Sequence, residues 1–166
     1  LDGEGLGHAD DPASGIASRI SKRFADVDVI LLVDSAKAPM LDAPTSLLRG
    51  VASSGHQKKL AMAFTHFDLL QDQANLPTFD AQRSHVLSSV RQKLVLLRDV
   101  VGAPAVRLLE RELDKRSFML GYLDKQLSRL QKGPVKEVVR LLAFIGQSIL
   151  PESEPQDYPI YDTTRL

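Results

Sequence analysis

Two short stretches of this sequence carry residue types that could bind or position a ligand. Thr65-His66-Phe67-Asp68 puts a hydroxyl, an imidazole and a carboxylate within four residues, directly after the apolar run Leu60-Ala61-Met62-Ala63-Phe64. A carboxylate accepts two hydrogen bonds side by side, so Asp68 suits a ligand edge with adjacent N–H groups, as guanine has and adenine lacks. The same Asp also suits a loop turn or a helix cap. Asp2-Gly3-Glu4-Gly5-Leu6-Gly7-His8 is the second stretch, with three glycines in seven residues. It describes a backbone that turns tightly or approaches something closely; a solvated chain end has the same composition.

Other chemistries find little support. The absence of cysteine excludes disulfides, thiolate metal sites and a cysteine nucleophile, and is compatible with a reducing, cytoplasmic compartment. His8, His56, His66 and His85 show no ligand spacing that would form a metal cluster. No serine sits in a nucleophile elbow. Gly50 to Gln57 imitates a phosphate-binding loop, but His56-Gln57 replace the lysine and hydroxyl residue. It also closes a helix ahead of a strand, whereas a phosphate loop follows a strand and opens a helix. Asp34, after an apolar run, faintly resembles a receiver-domain phosphoacceptor. The acidic pair such a site needs, Asp10-Asp11, has no strand ahead of it. Twenty-one basic residues balance twenty-one acidic ones, which argues against a nucleic-acid partner. No apolar run is long enough for a membrane span.

The elements that must position these residues alternate in period. Val29 to Val33 is an unbroken aliphatic run bounded by polar residues, as in a strand buried on both faces; Leu60 to Thr65 is a second. Before the first, Ile16, Ile20 and Phe24 recur with helical spacing over Asp11 to Ala25, with Asp11-Pro12 as a start signal. Between the strands, Leu47, Leu48 and Val51 predict a helix from near Pro44 to Gly55. Strand, helix, strand with short joins predicts a right-handed βαβ unit and a parallel sheet.

After Pro77 helical patterns dominate. Leu87, Val90, Leu94, Leu97 and Val101 form one stripe, stopped by Gly102, and Val106, Leu109 and Leu113 mark another after Pro104. Ser117 to Tyr122 could continue that helix or form a third strand, and its place between two helical patterns, ending in the polar Asp124-Lys125, favours the strand; Pro134 to Ile149 reads as a last helix ended by Pro151. Residues 151–166 read as an irregular tail. The expected fold is thus α/β, a partial parallel sheet of two or three strands flanked by helices, with extra helices between the second and third strands. Helices 80–116 exceed what such a core requires, so one face suits a protein partner.

The order of the two candidate stretches resembles a P-loop GTPase. In that family a strand ends in D-x-x-G, a switch helix follows, then strand, helix, strand and an N/T-K-x-D loop. Asp2-Gly3-Glu4-Gly5 looks like the first motif and Thr65-His66-Phe67-Asp68 like the second. The T-H-x-D form, with Leu6 after the first motif's glycine, is most similar to the AIG/Toc and septin–dynamin neighbourhood. The resemblance covers residues 1–150 and implies the C-terminal part of a P-loop NTPase-like, three-layer domain. It also implies a piece of a longer protein, whose phosphate loop lies ahead of Leu1. In the intact parent, GTP or GDP and Mg²⁺ are the implied ligands. Asp2 would hold Mg²⁺ through water, Gly5 would offer its N–H to the γ-phosphate, and Thr65, His66 and Asp68 would form the base loop. The family's last base-contacting loop would fall near Gly121 to Lys125. His66 stands where the family carries lysine, and Leu6 stands where many relatives orient the attacking water. The fragment alone is not expected to be active. The competing reading is a non-catalytic α/β interaction module.

Overall fold

The computed structural model describes residues 22–125 and 132–149. Strand β1 (Ile30–Ser35) leads into helix α1 (Asp42–Ser54), and a 3-10 turn at Gln57–Lys59 delivers the chain to β2 (Leu60–Thr65). A second 3-10 turn, Phe67–Leu70, precedes the long helix α2 (Phe79–Val101). Helix α3 (Ala103–Leu113), strand β3 (Ser117–Met119) and helix α4 (Lys132–Ile149) follow. The fold is α/β: a parallel three-stranded sheet in the order β1-β2-β3, flanked by four helices.

Local chemistry sets the boundaries. Pro44 sits inside the first turn of α1, where its missing N–H costs nothing, and the helix starts two residues before it, at Asp42. Gly55 ends it at φ 81°, a left-handed conformation that other residues adopt at a cost. The Thr78 hydroxyl accepts from the Ala81 N–H at 3.2 Å and starts α2. Gly102, at φ 88°, ends α2 and joins it to α3. The third strand is shorter than its apolar pattern predicts. Leu120 N–H still bonds the Phe64 carbonyl at 2.8 Å, and then Tyr122, at φ 58°, turns the chain away.

Register places Leu32 beside Met62 and Ser35 beside Thr65, with Phe64 beside Met119. Alternation then divides the side chains between two faces. On the first face, Ile30, Leu32, Met62, Phe64 and Met119 pack with α1, α2 and α3 in the larger core. On the second, Ala61, Ala63, Phe118 and Leu120 pack under α4 through Leu141, with Val138, Phe144 and Ile145 beside it. Both helical crossovers, β1 to β2 and β2 to β3, therefore run over the same face, as right-handed connections in one direction must.

Of the expected helix over Asp11 to Ala25, only its end is described. Lys22 to Ala25 form a turn, and Phe24 is buried in the larger core. The tail, residues 151–166, and the first-stretch residues Asp2, Gly5, Leu6 and His8 lie outside the described residues. No helix among the described residues is long and apolar enough to cross a membrane.

Candidate functional site

All three strands run the same way, so their carboxyl ends share one edge. Asp34-Ser35, Thr65 to Asp68, and Leu120 to Tyr122 meet there. The middle strand is almost wholly buried from Leu60 to Phe64, which fixes where its last residue emerges. Thr65 Oγ1 donates to the Asp34 carbonyl at 3.1 Å and lies 3.1 Å from His66 Nδ1. A hydroxyl has one proton. With that proton on the Asp34 carbonyl, Thr65 Oγ1 is the acceptor and His66 Nδ1 the donor across their contact. His66 is exposed and left-handed, at φ 56°, a conformation unusual outside glycine and frequent at functional turns.

That turn redirects the chain into the 3-10 segment carrying Asp68. Phe67 and Leu70 are buried and anchor it, and the Phe67 ring stacks at a tilt on Phe79 at 5.1 Å. Phe67 N–H donates to the Leu120 carbonyl at 3.1 Å. The half-buried Asp68 is therefore gripped from the loop after β3. Its Oδ1 accepts from Tyr122 N–H at 3.1 Å. Gly121 lies so near that a Cβ there would sit 2.9 Å from the Asp68 nitrogen and 3.1 Å from Oδ1. Only glycine fits this approach. Tyr122 is itself braced, its hydroxyl donating to Gln71 Oε1 at 2.7 Å and Lys125 Nζ lying 5.6 Å from its ring centre.

Asp34 is occupied differently. Its Oδ1 accepts from Ser35 N–H at 2.8 Å and its Oδ2 from Met40 N–H at 2.7 Å. Both oxygens shape the 35–40 loop, in which Met40 is fully buried at φ 62°. This geometry describes a loop clasp, and it gives no support to a phosphoacceptor role for Asp34. Among the described residues no group of three or more His, Asp or Glu could hold a metal ion. A shallow depression lined by Pro104, Arg107, Leu108, Glu110 and Arg111 draws on α3 alone and includes no strand end.

The structure thus brings Thr65, His66 and Asp68 together at the end of the middle strand, and adds Gly121 and Tyr122. The sequence located their segment but not their roles. A glycine followed by a residue forced left-handed, just past a strand, is the signal that could have found them. No protein-family model, curated protein or solved structure matches this chain.

Proposed function

We propose that Thr65-His66-Phe67-Asp68 is the base-reading loop of a guanine-nucleotide-binding domain, and that residues 1–150 are the C-terminal part of that P-loop GTPase-like domain. The observation that carries this reading is Asp68. Its carboxylate stands at the ligand-binding edge of a parallel sheet, aimed by one backbone N–H from the loop after the neighbouring strand. Each carboxylate oxygen accepts more than one hydrogen bond, so Oδ1 can keep Tyr122 while the pair receives guanine N1–H and N2–H₂. The acceptors of the carboxylate match the donors of the base. In the whole domain, Asp2 would hold Mg²⁺ through water and Gly5 would meet the γ-phosphate. Bound GTP would be hydrolysed to GDP only where another group replaces the water-orienting residue that Leu6 lacks.

Leaving buried polar groups mispaired costs about 1–3 kcal/mol each, roughly ten- to a hundredfold in affinity. In the longer parent, Asp68→Asn should weaken GTP binding and move preference toward XTP, whose O2 accepts from the new amide. Asp72→Asn should leave preference unchanged. Titration of the parent and both variants with GTP, ATP and XTP decides it, and an unaltered preference in Asp68→Asn overturns the reading. The 166-residue chain alone should show no saturable GTP binding at micromolar nucleotide, because the phosphate cradle supplies most triphosphate affinity.

The alternative, a non-catalytic interaction module, draws on α2. Val95, Leu96 and Val100 are exposed there at 60%, 71% and 57%, more apolar surface than a finished helix face needs. A protein partner on this face is compatible with either reading.

A further inference from the structure

Two neighbouring positions past β3 are constrained in different ways. At 121 the constraint is space: a Cβ there would stand 2.9 Å from the Asp68 nitrogen and 3.1 Å from Oδ1, so glycine is required. At 122 the constraint is conformation: φ is 58°, a region where glycine or asparagine sits with less strain. The chain carries tyrosine there. A strained backbone kept at a large side chain points to a role for that side chain.

The Tyr122 side chain reaches back to the segment that carries Asp68. Its hydroxyl donates to Gln71 Oε1 at 2.7 Å. Gln71 N–H in turn donates to the Asp68 carbonyl at 3.2 Å, closing the 3-10 segment. Tyr122 N–H donates to Asp68 Oδ1 at 3.1 Å. Three hydrogen bonds thus form a closed ring through Asp68, Gln71 and Tyr122. The tyrosine is held from its own loop as well: Lys125 N–H donates to the Tyr122 carbonyl at 3.1 Å, and Lys125 Nζ lies 5.6 Å from its ring centre.

This ring answers a mechanical problem. One N–H holds Oδ1 but leaves the carboxylate free to turn about that bond, and the N–H belongs to the peptide joining Gly121 to Tyr122. Glycine has the freest backbone of any residue. The residue that space demands at 121 is therefore the one least able to keep this peptide in place. Ahead of it, Phe67 N–H fixes the chain by donating to the Leu120 carbonyl at 3.1 Å. Beyond it, the tie to the Asp68 segment is the Tyr122 hydroxyl on Gln71. Water reaches both partners, so this contact adds little to global stability. What it fixes is direction.

We propose that Gln71 and the Tyr122 hydroxyl are positioning residues for Asp68, fixing the peptide whose N–H aims its carboxylate. Neither touches the ligand in this role. Selectivity for a planar ligand edge with adjacent N–H groups then depends on two residues outside Thr65 to Asp68. A carboxylate accepts two parallel hydrogen bonds only while its plane is held, and a side chain that must be ordered at the moment of binding lowers affinity by that ordering. The effect on nucleotide rests on the reading above of Asp68 as the base-reading carboxylate; the effect on the Asp68 rotamer rests on geometry alone.

The test reads the Asp68 χ1 rotamer from three-bond couplings to its Cγ in the isotope-labelled 166-residue chain, together with exchange of the Tyr122 amide. The unsubstituted chain should show one rotamer. Tyr122→Phe and Gln71→Leu should average it and speed Tyr122 amide exchange about tenfold. Gln71→Glu keeps an acceptor for the hydroxyl and should retain the unsubstituted couplings, a rescue that a mere packing role would not give. Gln71 is exposed, so neither of its substitutions threatens folding. A single rotamer in Tyr122→Phe, averaged couplings in the unsubstituted chain, or equal averaging in Gln71→Glu and Gln71→Leu each overturn the proposal. In the longer parent, Tyr122→Phe and Gln71→Leu should weaken GTP binding about three- to tenfold and narrow the preference for GTP over ATP. The expected couplings in a parent that binds no GTP keep the positioning and remove the functional reading. The expected couplings with unchanged GTP affinity and preference overturn the positioning role.

Discussion

At the β3 edge of the sheet, a buried glutamate takes the outward backbone N–H, two arginines lie over aromatic rings, and the strand is only three residues long. At the β1 edge, six residues of strand carry two exposed aliphatic side chains and outward backbone groups with no such cover among the described residues. Both strands are largely apolar and belong to one parallel sheet. The difference teaches that apolar sequence marks what a strand is suited to meet, while the neighbours decide whether it meets it. It also explains where the candidate site is firm. Asp68 is held from the β3 side, through Gly121 and Tyr122, whereas Asp34 and Thr65 lie toward the β1 side.

The comparison can be broken first at its core. Phe118 is 1% exposed under α4, and Phe118→Ala should cost about 3–5 kcal/mol in urea unfolding. Val33→Ala, one strand beyond its neighbour on the same face, should stay within about 0.5 kcal/mol in the 166-residue chain. Similar losses at both positions would mean that the β1 face is covered after all.

A smaller effect tests the cap itself. Glu137 is 4% exposed and serves both Met119 N–H and Arg140. Glu137→Ala leaves a buried N–H and a guanidinium without their acceptor, so a loss of about 1–3 kcal/mol is expected. Glu137→Gln keeps a neutral acceptor and should lose less than Glu137→Ala. Equal losses for the two would assign the role of Glu137 to packing.

Gly121→Ala probes the link between the β3 edge and the site. The new methyl meets backbone, not a flexible side-chain end, so Asp68 must move. The expected cost is about 1–3 kcal/mol, with shifted amide resonances at Asp68 and Tyr122. An unperturbed Asp68 amide would dissolve the grip described above. Thr65→Val removes the hydroxyl that bridges Asp34 and His66. A loss of about 1 kcal/mol is expected, with the His66 ring resonances moving toward those of a free imidazole.

The smallest stability effect belongs to Val33→Lys. In the isolated chain it should change stability by less than about 0.5 kcal/mol while reducing self-association measured by light scattering, because an edge lysine blocks strand pairing. A large destabilisation would contradict the exposure of this side chain.

Much of this architecture was legible before folding. The run from Leu60 to Thr65 became β2 without adjustment, and the stripe from Leu87 to Leu97 became the buried face of α2, because period and burial act locally and repeatedly. The third strand was legible as a strand but not in length: Ser117 to Tyr122 is uniformly compatible with extension, and only the loss of pairing partners after Phe64 ends it. The loop residues Thr65, His66 and Asp68 could be placed at a strand end from order alone. The clasp on Asp68 could not, since Tyr122 lies 54 residues away in sequence.

By itself, then, the sequence determined the alternation of strand and helix, the parallel order of Val29–Val33 and Leu60–Thr65, and the candidate carboxylate, since each depends on residue type and short-range spacing. Tertiary structure alone decided that a distant amide reaches Asp68 at the sheet edge, that Gly121 admits no side chain, and that, among the described residues, one edge is capped and the other is not. Asp34 is reached by backbone amides one and six residues on and Asp68 by one 54 residues away, and two largely apolar strands differ in what lies beside them. Those neighbours are set by chain crossings tens of residues long, which local preference does not encode.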